Sequence, residues 1–305
     1  MEVSPTKTSR MEQEKVPWWL WPNLLSLDAP LVALGWAWMF SKAWGVVSVP
    51  WELWATLALV VWIIYVLDRL LDVKKGGRLD RRHQFHARHA RWFWVGIVAA
   101  AAWCLHAVLL VLALTVLQYG LLVLLFAAGY FIIAWNQASD GQPMVGKNVI
   151  AGLTFAYGAS AGIHAYSPVM GIGEMFFSSE ILLFGGLCVI NMTAIDFWDL
   201  EGEEDEDAAA VLNLGTLILG GVAIFVYFSA LRRDAFFFHE SFFHERAFYK
   251  PFGTGVLVGA ASLFLLNQAR RRVGKSAYRV LVDCAVAAPV FVFWVLVSLD
   301  GNPRT

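Results

Sequence analysis

Nine runs of mostly apolar residues follow one another along this chain, and no other feature constrains its fold as strongly. They fall near residues 19–42, 51–73, 91–113, 115–135, 148–167, 177–198, 212–231, 252–269 and 278–298. A run of about twenty apolar residues is long enough to cross the hydrocarbon of a bilayer. It does so as a helix, because lipid offers no partner for backbone N–H and C=O groups. The remaining composition agrees. Of 305 residues, 59% are hydrophobic and only 15% are charged, against roughly a quarter charged in soluble domains. The expectation is an all-α integral membrane protein of about nine transmembrane helices. One helical domain spans 17–300, between a polar, disordered tail over 1–16 and a short tail over 301–305.

Residues 1–16 lack the apolar core and small-residue cleavage site of a signal peptide. Cys104, Cys188 and Cys284 sit singly in apolar runs, which indicates neither a disulfide framework nor a zinc site. The net charge of −1 gives no sign of a nucleic-acid partner. The partner the chain does demand is the lipid bilayer.

Nine crossings divide the basic residues unevenly. Sixteen of the 23 Lys and Arg fall in the N-terminal tail and the loops on its side, and six on the other side. The positive-inside rule places the larger group in the cytoplasm. A bacterial cytoplasmic membrane is the expected location.

The second run ends in WIIYVLDRLLDVKK, with Asp68 and Asp72 four residues apart and so on one helix face. The sixth ends in NMTAIDFWDLEGEEDED, where Asp196, Asp199 and Glu203 follow an i, i+3, i+7 pattern. Both acidic faces fall at cytoplasmic ends, so the two can meet across a bundle. Facing carboxylates repel one another, and a divalent cation removes the problem. Oxygen ligands suit Mg²⁺, which takes one or two carboxylates plus waters and substrate phosphates. The loop KKGGRLDRRHQFHARHAR beside the first acidic pair supplies positive charge. Carboxylates with basic groups at the mouth of an apolar cavity describe a Mg²⁺-bridged diphosphate carrying a lipid-like tail, the shape of an isoprenoid diphosphate.

These motifs resemble those of the UbiA superfamily of intramembrane prenyltransferases. LDRLLDV matches the second half of the family's first motif, with Asp68, Arg69 and Asp72 in place. DFWDLEGEE matches its second motif, with Asp196, Asp199 and, where the family has Asp, Glu203. LSLDAPLVALGW, with Asp28 and Pro30, is similar to the family's first helix, and GKNVIAGLTFAYG to the start of its fifth. The resemblance covers nearly the whole chain. It implies nine helices around a lipid-open cavity and an allylic carbocation formed from a prenyl diphosphate held by two Mg²⁺. It implies catalytic, metal-binding roles for Asp68, Asp72, Asp196 and Asp199, with Glu203 a further ligand. Lys147 becomes a diphosphate contact, with Arg69, Lys74, Arg81 and Arg82 as further candidates. The chain departs from the family where its Asn and neighbouring Asp fall at Ile64 and Tyr65.

The cation's fate separates two activities. Aromatic faces stabilise cations, and this chain holds 15 Trp, 8 Tyr and 22 Phe. Tyr130, Trp135, Phe155, Tyr157 and Phe197 are the candidate cavity lining. Few polar groups lie within the spans, which favours internal closure, as in UbiA-type terpene cyclases, over transfer to an aromatic or lipid acceptor. A transporter is the more distant alternative, disfavoured because its coupling acids would lie near the midplane. A second is an inactive scaffold, which the four retained aspartates argue against. His83, His86 and His89 read as part of a basic interfacial helix. Residues 234–253 read as an interfacial helix on the opposite side. Arg279, one turn away, is the expected partner of Asp283.

Overall fold

A computed structural model describes residues 17–75, 81–136, 145–167, 171–200, 203–236 and 249–299. The described residues are overwhelmingly helical and contain no strand. A 3₁₀ turn Trp18–Leu20 and α1 (Trp21–Leu24) lead into α2 (Asp28–Ala43), α3 (Trp51–Lys75) and the short basic α4 (Arg81–Arg88). Next come α5 (Ala90–His106), closed by a π turn Ala107–Val111, then α6 (Leu114–Asn136), α7 (Val145–His164) and α8 (Ile172–Phe177). α9 (Ser179–Asp196) ends in a 3₁₀ turn Phe197–Asp199, and α10 (Glu203–Phe236) follows. α11 (Tyr249–Ala269) and α12 (Lys275–Leu299) complete the bundle, joined through a 3₁₀ turn Arg270–Arg272.

Seven of these helices are long and apolar enough to span a membrane, or eight if the bent pair Trp18–Leu24 and Asp28–Ala43 is one span. Nine were expected. The remaining candidate, α7, has the length, but Lys147, Asn148, Ser160 and His164 dilute its apolar character. The expected interfacial helix over 234–253 falls largely at 237–248, outside the described residues. Glu204–Asp207, expected as a solvated acidic loop, instead lies in the opening turns of α10, where negative side chains suit the positive end of the helix dipole.

The centre of the bundle is α2 against α9, α11 and α12. Trp36 is completely buried and donates its indole N–H to the Val286 carbonyl at 2.9 Å. Its ring stacks on Phe184 with centroids 4.0 Å apart. Small residues let the backbones close up. A Cβ on Gly152 of α7 would lie 2.7 Å from the Val189 backbone nitrogen of α9. Gly255 and Gly259 of α11 form a small face against Pro289, whose ring sits inside α12. In lipid such close packing, rather than expulsion of water, holds helices together.

The first span is sharply broken. α1 and α2 meet at 81°, and Ser26 in the elbow has φ of 57°. A non-glycine residue holds that conformation only where its surroundings impose it. Here Ser26 is fully buried, and Arg69 Nε donates to its Oγ at 2.9 Å. The Ser26 hydroxyl faces His86 Nε2 at 3.2 Å, and His86 Nδ1 lies 2.9 Å from the Arg82 carbonyl. One arrangement satisfies every group: His86 Nδ1–H donates to the carbonyl, and Nε2 accepts from Ser26. Trp62 closes the elbow by donating to the Leu25 carbonyl at 3.0 Å.

That arrangement needs a neutral imidazole. His86 is wholly inaccessible, and burial first, then the nearby Arg69, pushes its pKa down from 6.5 to about 4. A folded-state value below the unfolded one means that stability is intact above pH 6.5. It declines as pH falls toward about 4. The full loss is about 3 kcal/mol. Unfolding of the detergent-solubilised protein at pH 7 and pH 4.5 should show this slope, and His86→Gln should flatten it.

Candidate functional site

The last three turns of α3 carry Tyr65, Asp68, Arg69 and Asp72 at helical spacing, and side chains of α4, α6 and α7 act on them there. Tyr130 of α6 donates its hydroxyl to Asp68 Oδ1 at 3.0 Å. Lys147, in the first turn of α7, acts on Asp68 as an attracting charge, and Asp72 as a repelling one. Asp72 is half-exposed and pairs with His83 Nε2 of α4 at 3.4 Å. Asn148, beside Lys147, is buried and donates to Asp196 Oδ2 at 2.9 Å and to Thr193 Oγ1 at 3.4 Å. The first turn of α7 therefore stands between the two acidic segments, with a cation toward one and an amide toward the other.

The remaining predicted residues divide. Asp196 is exposed. The side chains of Asp199, Glu203 and Trp135 lie outside the described residues. Lys74 and Arg81 are exposed at the same end, and Arg82 is partly buried. Arg69 faces inward, its Nε on Ser26 and its guanidinium 5.9 Å from the Tyr65 ring centroid. Of the aromatic candidates, Phe155 packs its ring on Tyr65 and on Phe184, and Phe197 is buried. Tyr157 donates to the Phe176 carbonyl before α9, toward the other end of the bundle.

The segment carrying Asp199 is clamped from below. Arg271 donates to the Trp198 carbonyl at 3.2 Å and to the Leu200 carbonyl, and with Arg270 it grips Asp205. No group of three or more His, Cys, Asp or Glu among the described residues is placed to hold a metal ion. The described donors Asp68 and Asp72 fit a hard cation that keeps most of its waters and takes only one or two protein carboxylates, as Mg²⁺ does.

No family model, curated protein or solved structure matches this chain.

A second polar centre was not anticipated. Asp283 of α12, for which Arg279 on the same helix was the expected partner, accepts from Asn191 of α9 at 3.2 Å. Asp28 at the start of α2 lines one cavity with Asp283 and accepts from Asn23 at 2.6 Å. Tyr65, one turn before Asp68 and Arg69 on α3, feels the charges of Asp28, Asp283 and Arg69 together. The available signal was Asp283 itself: an ionisable residue two turns inside a span is a functional candidate by default.

Proposed function

We propose that this protein is a Mg²⁺-dependent intramembrane enzyme, a distant UbiA-type terpene cyclase, that ionises an isoprenoid diphosphate and closes the resulting cation on itself. The observation that carries this reading is the meeting of Asp68 and Asp72 with Tyr130, Lys147 and His83 at one end of an apolar bundle. Asp68 and Asp72 would hold the metal, together with Asp196, Asp199 and Glu203 of the second segment. Bound Mg²⁺ would neutralise charge on the departing diphosphate. Tyr130 fixes the orientation of Asp68 through its hydroxyl, and Asn148 fixes that of Asp196. Lys147 offers a point charge to phosphate oxygens. Phe155 and Tyr65, ring against ring at 6.0 Å, give a cation a π surface beside the site. We place this end in the cytoplasm on the Lys and Arg distribution, with α7 and the bent α1–α2 pair counted among nine crossings.

Transfer to an acceptor is the second reading. The polar floor formed by Asp28, Asp283 and Asn191 favours it, because an acceptor needs such a handle.

The test uses purified protein with Mg²⁺ and geranyl, farnesyl or geranylgeranyl diphosphate, each without acceptor. Gas chromatography and mass spectrometry of the hexane extract should reveal a cyclic hydrocarbon or alcohol from one of them. Chelation by EDTA should abolish the product together with diphosphate release. Release without a cyclic product would favour transfer. Intact diphosphate with each substrate, with and without candidate acceptors, would overturn the reading.

A further inference from the structure

Where α9, α11 and α12 meet, three buried polar groups stand without partners. Arg270 Nη1, the Tyr278 hydroxyl and Trp198 Nε1 are each buried and have no hydrogen-bond partner among the described residues. Arg270 is 2% exposed and Tyr278 is wholly buried. Buried polar groups in folded proteins are nearly always partnered, so three together call for an occupant. They share one neighbourhood. Arg270 lies close enough to Tyr278 for its charge to act on the phenol. Arg271, next in the chain, donates to the Trp198 carbonyl at 3.2 Å, and Lys275 Nζ lies 5.9 Å from the Trp198 ring centroid. A guanidinium and an indole only donate, and a hydroxyl can, so the missing partner is an acceptor.

Charge narrows the choice. The segment Arg270–Arg279 carries five Lys and Arg. Asp205 takes both Arg270 and Arg271, so two cations share one carboxylate. Glu204, Glu206 and Asp207 hold exposed positions of α10, off the face on which Ala208 and Leu212 turn inward. The acceptor that suits such a centre is an anion, and a guanidinium fork with further donors around it suits phosphate oxygens. The place also suits them, because α11 ends and α12 begins there, and basic pockets between membrane helices bind phosphate head groups.

We infer that the α11–α12 turn and Trp198 bind a phosphate group, free or on a lipid head, with Arg270 Nη1, the Tyr278 hydroxyl and Trp198 Nε1 donating to its oxygens. The donors are covered, so binding moves the rim, where Arg271 is 43% exposed. The site is separate from the proposed diphosphate site. Asp196 turns to Asn148 of α7, whereas Trp198, two residues on, turns to Lys275 of α12. It requires neither Mg²⁺ nor turnover, so it stands or falls apart from that reading.

The test uses the full chain in maltoside micelles with EDTA. Thermal unfolding is followed as inorganic phosphate replaces chloride at constant ionic strength. Native mass spectrometry compares retention of dioleoyl phosphatidic acid with that of dioleoylglycerol. A midpoint raised by phosphate identifies a free ion, and preferential retention of phosphatidic acid identifies a lipid head. Tyr278→Phe deletes a hydroxyl with no partner among the described residues, so its midpoint in chloride should equal or exceed that of the unsubstituted protein. It should nonetheless weaken the phosphate binding about tenfold, the loss of one hydrogen bond to a charged group. Trp198→Phe should weaken it similarly. A purely structural tyrosine would give the reverse, a lower midpoint in chloride and an undiminished phosphate effect, and would overturn the assignment. Lys147→Gln, at the other site, should leave binding unchanged. Binding lost in Lys147→Gln and kept in Tyr278→Phe would place the phosphate at the Asp68 site instead. A midpoint indifferent to phosphate, with equal retention of the two lipids, would overturn the site altogether.

Discussion

Asp68→Asn should reduce Mg²⁺-dependent diphosphate release by about a thousandfold while leaving the fold intact. The substitution keeps the volume and one acceptor oxygen, so the Tyr130 hydroxyl retains a partner. What it removes is a negative charge. Two consequences follow from the surroundings of Asp68. Lys147 and Arg69 lose a counter-charge, and the repulsion from Asp72 disappears. These partly cancel in the resting protein, so stability changes little. They would not cancel in the proposed turnover, where Asp68 would help hold a cation that offsets several kcal/mol of diphosphate charge. About 4 kcal/mol corresponds to a thousandfold in rate. Diphosphate release should be followed alongside thermal unfolding in detergent. An unfolded variant would be uninformative, and for that case Asp72→Asn, on a half-exposed side chain, is the second probe. Wild-type turnover in a folded Asp68→Asn protein would remove Asp68 from the chemistry.

The helices were far more legible than their junctions. A span near 51–73 was readable because hydrophobic length is a local property, and α3 runs Trp51–Lys75. The elbow at Ser26 was not readable. Its positive φ depends on Arg69 and His86, which are 43 and 60 residues away in sequence. The start of α10 was placed too late because acidity was read as a loop signal, whereas the same residues stabilise a helix N-terminus. For the site, the spacing of Asp68 and Asp72 was informative, since i, i+4 residues share a face whatever the tertiary fold. Their partners were less visible. Lys147 was anticipated only through resemblance, and Tyr130 only as an aromatic wall, not as a hydrogen-bond donor to Asp68. The Asp283–Asn191 bond joins α12 to α9 across 92 positions. No pattern within either helix encodes such a pairing. It follows from how the helices are arranged around α2.

Arg69→Met should destabilise the protein by about 3–5 kcal/mol, the cost typical of removing one partner from a buried charge cluster. Arg69 is 5% exposed. It lies among the carboxylates of Asp28 and Asp68, and its charge reaches Asp283. Methionine preserves much of the side-chain volume, so the loss reports charge and hydrogen bonding rather than a cavity. One hydrogen bond to Ser26 also disappears, and with it part of the restraint that holds the elbow at positive φ. The carboxylate contribution can be separated from the elbow contribution by a double-mutant cycle. If uncompensated acids dominate, Arg69→Met combined with Asp28→Asn should recover much of the lost stability, because the second substitution removes a charge that no longer has its cation. If loss of the Ser26 restraint dominates, the two substitutions should add, and Ser26→Gly should itself reproduce little of the Arg69→Met loss, since glycine accepts the positive φ without help. Equilibrium unfolding of the four proteins in mixed micelles measures each term. Recovery in the Arg69→Met/Asp28→Asn protein would establish Arg69 as the counter-ion that lets one bundle hold both the Asp68 site and the Asp28–Asp283 centre.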